Sequence, residues 1–150
     1  MKSQSGQSLF EIVLALAITT LIIVAIVALT ATSIRNTTFS KNKTLASRYS
    51  QEATEWLRGE RDTDFDAFKT RALNSTLYCL PSLSWSPEII GACGSGQEIA
   101  NTPFRREISF STTSVACGDL IEAGVKVYWT DSQGIHEVRS VTCFSDWREI

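Results

Sequence analysis

The chain's only thiols are Cys79, Cys93, Cys117 and Cys143. They stand at wide, unequal spacings and form none of the C-x-x-C pairs of a zinc site or a thioredoxin-type redox centre, so disulfide formation is the chemistry they offer. Four cysteines allow three connectivities. The favoured one joins Cys79 to Cys93, closing a loop rich in Pro, Gly and Ser, and leaves Cys117 with Cys143 to tie two neighbouring strand ends. Disulfides persist in oxidising compartments, which places the part of the chain after residue 35 outside the cytoplasm.

Other candidate chemistry is thin. A catalytic dyad or triad would have to use His136, the one histidine, beside Glu137 and near Asp131. No G-x-S-x-G nucleophile elbow accompanies it, and a lone histidine at a strand start is ordinary surface chemistry, so no enzyme is expected. Asp62, Asp64 and Asp66 form a D-x-D-x-D run like the start of a calcium loop. The EF-hand rule then fails, because Ala67 stands where glycine is required and Leu73 where glutamate is. The run reads instead as a solvated turn into a short helix, with Asp64 as N-cap and Phe65, Phe68 and Leu73 facing inward. No metal and no cofactor are expected. Arg105 and Arg106 are too few to attract nucleic acid to a chain of net charge −2. Three N-x-S/T sequons, at Asn36, Asn42 and Asn74, read as chance, and Trp147 is a candidate subunit or adhesion contact.

The informative carboxylate is Glu11. It sits at the edge of the 23 residues from Ile12 to Ile34, which contain no charge, proline or glycine. As a helix this stretch spans roughly 35 Å, enough to cross a hydrocarbon layer of about 30 Å. A secretory signal peptide has a more basic start and an apolar run of about 7 to 15 residues, so it fits badly. A plain single-pass anchor fits the length but gives Glu11 no purpose. An ionisable group on a membrane helix is a functional-site hypothesis with a partner to be named; the plainer reading is that Glu11 favours the positive end of the helix dipole.

These residues need elements to position them. After Ile34 the polarity rises with no Gly or Pro before Gly59, and Leu45, Tyr49, Ala53, Trp56 and Leu57 recur at spacings of three and four. A single helix is therefore expected from about Ser8 to about Arg58, apolar all round in its first half and amphipathic in its second. Arg35 to Lys43 holds poor helix formers and is its weakest stretch, a candidate kink or melted segment. Leu77 to Pro103 reads as a long surface loop anchored by Tyr78, Leu83, Trp85, Ile89 and Ile90. Strands are expected over Phe104–Ser111, Gly124–Thr130 and Ile135–Phe144, the last alternating poorly enough to hold a bulge. Asp131-Ser132-Gln133-Gly134 joins the last two as a hairpin loop. The fold class that results is α+β, a long N-terminal helix packed on a small antiparallel sheet of about three strands.

Gly6-Gln7-Ser8-Leu9-Phe10-Glu11, followed directly by Ile12-Val13-Leu14-Ala15-Leu16, resembles the N-terminal signal of type IV prepilins, although Gln7 stands where that family usually has phenylalanine. The resemblance implies a pilin-like fold and cleavage between Gly6 and Gln7 by a prepilin peptidase, with methylation of the new amine. It further implies a leader at 1–6, a transmembrane or filament-core helix at 7–34, an amphipathic continuation at 35–61 and an extracytoplasmic disulfide-containing domain at 62–150. Ser50 to Arg58 followed by Glu60-Arg61-Asp62, together with Val125 to Asp131, resembles the minor pilins of the type IV pilus modification (PilV) group and the related minor pseudopilin I of type II secretion. The partners implied are prepilin peptidase, other pilin or pseudopilin subunits, an inner-membrane assembly platform, and membrane lipid before assembly. The location implied is the inner membrane with the C-terminal domain outside the cytoplasm, then a filament. Arg35, Lys41, Lys43 and Arg48 follow the span, so a positive-inside count alone gives the opposite orientation; the cysteines and the signal outweigh it. Three function readings stay open at this point: a minor pilin in a type IV pilus, a minor pseudopilin of a secretion or competence system, and an anchored binding module that never assembles.

Helices packed side by side away from water leave a carboxylate in need of a cation, and the N-terminal amine of a neighbouring subunit can supply it. Glu11→Ala is therefore expected to give a stable, cleaved, membrane-inserted protein that enters filaments poorly. Immunoblotting of sheared filaments against the membrane fraction checks this, and incorporation at the wild-type level refutes the role given to Glu11.

Overall fold

The computed structural model describes residues 5–74 and 77–146, with side-chain surroundings from residue 9 onward. In chain order the elements are α1 (Ser5–Thr63), α2 (Phe65–Asn74), β1 (Leu77–Cys79), β2 (Arg105–Ser111), β3 (Ile121–Asp131) and β4 (Gly134–Phe144). The chain divides into two units, residues 1–41 and residues 42–150.

In the first unit the backbone is helical from Ser5 on, and every side chain from Leu9 to Lys41 is exposed. Arg35 to Lys43 is helical throughout and not melted. Poor propensity costs only tenths of a kcal/mol per residue, and propagation from helix on both sides overcomes it. The threonine hydroxyls of this unit turn back on their own helix. Thr19 donates to the Ala15 carbonyl at 2.7 Å, Thr30 to Ile26 at 2.8 Å, Thr32 to Ala28 at 3.0 Å and Thr37 to Ser33 at 2.9 Å.

In the second unit the four strands form one antiparallel sheet in the order β1-β2-β3-β4. Its inner face carries Tyr78, Ile108, Phe110, Ala123, Val125, Val127, Trp129 and Phe144, all buried. Residues 42–63 of α1 and the short α2 cover that face. The buried stripe of α1 is Ala46, Ser50, Ala53, Thr54 and Leu57, with Leu45, Tyr49 and Trp56 packed along its margin. The contact centre thus lies on smaller residues than the apolar periodicity of the sequence indicates. Small side chains bring the helix close enough for Ser50 Oγ and Thr54 Oγ1 to reach Ser140 Oγ on β4, at 2.8 and 3.1 Å.

Several expectations need correction. The helix passes through Gly59 and ends at Thr63, since one exposed glycine costs about 1 kcal/mol and does not stop a helix that packing holds on its other face. Asp64 does cap α2, its Oδ1 accepting the Ala67 N–H at 2.9 Å. Phe68 points inward, but Leu73 is 63% exposed and Ala72 takes the buried position. A fourth strand, β1, sits inside the segment expected to be loop. Three residues are too few to show a period, and β1 is held by pairing on both sides, with β2 and with the segment around Ile90. Ile90 itself is 65% exposed and anchors nothing inward. β4 has no bulge: its register with β3 runs unbroken from Ile121↔Phe144 to Asp131↔Gly134. Its alternation is masked because His136, Ser140 and Thr142 take inward-facing positions while Ile135 and Val141 face out. Gly134, which follows the two turn residues, has φ +119°, a conformation that other residues rarely adopt.

Ala53 has no exposed surface and lies at the middle of the helix–sheet contact. Ala53→Leu is expected to overpack it and lower stability by about 2 kcal/mol, with Ala67→Leu, on the exposed side of α2, as a near-neutral control. Thermal unfolding of the full chain in detergent measures both; equal effects from the two would show that the helix does not seat on small residues.

Candidate functional site

The residues expected from the sequence to carry processing and assembly, Gly6, Gln7 and Glu11, lie near the start of α1. Gly6 and Gln7 lie in the first described residues of α1. Glu11 follows Gln7 by one turn and is exposed. It is the only acidic residue before Glu52. Beyond it the helix is apolar on every side, reaching a mean hydropathy of 3.1 with none of that stretch buried. One helix of this chain is thus long and apolar enough to cross a membrane. The threonine hydroxyls bonded to carbonyls one turn back leave fewer polar groups to be satisfied by lipid. Residues 1–4 of the expected leader, the Ser75 and Thr76 of the Asn74 sequon, and Trp147 lie outside the described residues.

Disulfides join Cys79 to Cys93 and Cys117 to Cys143, with Cα separations of 4.9 and 5.6 Å. The first ties the irregular segment after β1 back onto that strand. The Cys79 N–H also donates to the Ile89 carbonyl and the Gly91 N–H to the Leu77 carbonyl, both at 2.9 Å. The second joins the 112–120 loop to the end of β4. Trp85 seats the middle of the long segment on α1: its ring lies 4.8 Å from that of Trp56, its Nε1 donates to Glu60 at 2.7 Å, and the Arg71 guanidinium stacks 4.5 Å from it.

Two charged residues of β2 are buried, and the sequence reading assigned neither to the interior. Arg106 is 2% exposed on the inner face, its Nε donating to the Leu80 carbonyl at 3.1 Å and its Nη1 reaching the Tyr49 carbonyl of α1 at 3.5 Å. Burial pulls its pKa down, and the Glu52 carboxylate 3.8 Å away opposes that shift. Glu107, 2% exposed on the opposite face, accepts from the Cys93 N–H and the Tyr128 hydroxyl, each at 2.9 Å, and pairs with Lys126 at 2.5 Å. Burial alone would raise its pKa; the hydrogen bonds from Lys126, Cys93 and Tyr128 outweigh it and hold the carboxyl below its ordinary value. The signal was present in Phe104-Arg105-Arg106-Glu107-Ile108, where charges interrupt a strand whose inward positions are otherwise apolar. Arg105 is half-exposed and holds Glu98 through two hydrogen bonds of 3.0 and 2.7 Å, so the arginine pair does not present a basic patch. His136 meets Asp131 across the hairpin at 2.9 Å and lies 5.3 Å from the Trp129 ring.

Comparison with protein-family models, with curated proteins and with solved structures finds no match to this chain. Its chemistry is therefore read from the arrangement itself. That arrangement consists of a carboxylate near the start of an uncovered apolar helix, and a disulfide-tied domain whose buried charges serve its own packing.

Glu107 links the Cys93 segment to β2 and β3. A carboxyl whose folded pKa lies below its ordinary 4.5 stabilises the fold at higher pH, and that stabilisation is lost as pH falls through 4.5 toward the folded value. Glu107→Gln is expected to lower stability at pH 7 by roughly 2 kcal/mol and to flatten the decline as pH falls below the ordinary carboxyl value of 4.5. Unfolding midpoints at several pH values test this, and a parallel decline in both proteins would remove Glu107 from the account.

Proposed function

We propose that this chain is a minor pilin, a structural subunit of a type IV pilus that a prepilin peptidase cuts between Gly6 and Gln7. The observation that carries this reading is the helix of the first unit: every side chain from Leu9 to Lys41 is exposed, the stretch to Ile34 is apolar on all sides, and Glu11 is its one acid. Such a surface has two stable environments, lipid and the flanks of similar helices, and a subunit that moves from one to the other needs both. The short leader ending in Gly6 supplies the processing step. Freed at Gln7, the N-terminal amine of one copy is the cation that Glu11 of another requires in a dry interface. The disulfide-bonded domain fits display outside the cytoplasm, where thiols are oxidised. The buried Arg106 and Glu107 are spent on internal packing, in keeping with a structural rather than a catalytic part.

Intact mass and N-terminal sequence of the protein extracted from membranes, made with and without a prepilin peptidase, test the reading. A start at Gln7 only when the peptidase is present, with or without one added methyl group, is the expected result. A start at Met1 in both, or a cut between Ala25 and Ser33, overturns it in favour of an ordinary anchor or a secreted domain.

A further inference from the structure

β4 is the outermost strand of the sheet, and among the described residues no strand pairs with its open edge. Its pairing with β3 is unbroken up to Asp131↔Gly134, which leaves Ser132 and Gln133 alone in the turn. The residues flanking a two-residue hairpin loop exchange hydrogen bonds, and such pairs alternate along the ladder. Gly134, His136, Val138 and Ser140 therefore turn their N–H and C=O groups toward β3. Ile135, Glu137, Arg139 and Val141 turn theirs toward the open edge. The side chains of these same four residues stand on the outer face, with Ile135 73% and Val141 60% exposed. Glu137 and Arg139 pair with each other at 2.8 Å and stay largely in solvent.

Charged residues on a free edge ordinarily repel an incoming strand. Here the two charges have opposite signs and lie symmetrically about Val138, and beyond them Ile135 and Val141 are symmetric about the same residue. The outward sequence is thus its own complement when reversed.

We propose that β4 pairs antiparallel with β4 of a second copy of this chain, about a twofold axis at Val138. In that register Glu137 lies opposite Arg139 of the second copy and Ile135 opposite Val141, each contact occurring twice. The odd-numbered residues, whose backbone groups are free, become the hydrogen-bonded pairs of the new ladder. The axis stands normal to the sheet, so residues 42–63 of the two copies run antiparallel. Neighbours within a polar filament keep those segments parallel. The contact therefore joins copies that approach from opposite directions, as on two filaments or two facing membranes, and it does not rest on the function proposed above.

Val138→Cys in the full chain in detergent provides the probe, because facing residues in a non-hydrogen-bonded antiparallel pair have Cα atoms about 4.5 Å apart, within reach of a disulfide. Mild oxidation is expected to give a dimer linked through the introduced thiols of the two copies, mapped by peptide mass. Adding Glu137→Lys or Arg139→Glu sets like charges opposite each other twice, and each is expected to lower the yield about tenfold. Mixing the two single-charge variants restores complementarity between unlike copies alone. Recovery of cross-linking in the mixture is the decisive result, since the ion pair within each chain stays broken there. No dimer in the Val138→Cys protein, yields unaffected by charge, or no recovery on mixing overturns the proposal. If Val138→Cys does not fold, sedimentation of the charge variants and their mixture decides by the same pattern.

Discussion

A sheet with one apolar face is stable only when that face is covered, and in this chain most of the cover comes from residues 42–63 of α1. The contact is built on Ala46, Ser50, Ala53, Thr54 and Leu57. Apart from Leu57, these residues contribute little apolar area each, so the seat depends on close approach more than on bulk. Close approach in turn fixes what can lie opposite. Ser140 meets two hydroxyls of the helix, and Arg106 is confined beside the Tyr49 carbonyl with its charge answered by Glu52 at the helix surface. Removing one partner of such a buried group costs more than forming the pair gains, so the helix and β2 constrain each other's position.

The opposite face of the sheet is organised by polar contacts. Glu107 receives the Cys93 N–H, the Tyr128 hydroxyl and the Lys126 ammonium, and so holds an irregular segment against two strands. The Cys79–Cys93 bridge limits how far that segment can depart, and the carboxylate determines where it rests. A domain of this size buries a modest fraction of its surface. Two disulfides closing loops of 14 and 26 residues each supply stabilisation of about 3 kcal/mol, which a larger core would otherwise provide.

Most of this architecture could be read from the sequence because it rests on periodicity and on breakers. The apolar run, the amphipathic continuation, the Asp64 cap and the three longer strands all leave a local trace. What was hidden is what depends on tertiary partners. β1 has too few residues for a pattern, and its existence follows from pairing on both sides. Leu73 and Ala72 exchange roles because the inward face of α2 is set by Phe68 meeting Phe110 and Phe144, a contact that no local pattern displays. β4 looked irregular because its inward positions include His136, Ser140 and Thr142, of which Ser140 answers Ser50 and Thr54. At the candidate site, Glu11 was visible as an acid at the edge of an apolar run, and Gly6 and Gln7 only through the resemblance to prepilin signals. Arg106 and Glu107 were visible as charges but not as buried ones, since burial depends on a helix and a loop distant in sequence.

Two of the described surfaces stand out as open to a partner, and they differ in kind. Residues 9–34 of α1 offer apolar surface on all sides, which is non-directional and accepts lipid or another helix equally. Such a surface favours association without fixing register, and the single acid at Glu11 is the feature able to add one. The edge of β4 is the reverse case. Its apolar area is small, and its backbone donors and acceptors are directional, so it accepts only a strand in one spacing and one sense. A chain that carries both has one surface that can exchange a bilayer for a bundle of helices and another that recognises a particular strand. The first surface is apolar and indifferent to direction, whereas the second is directional and small in apolar area. A single charge reversal on β4 therefore acts on partner choice, while leaving the insertion and burial of α1 unaffected.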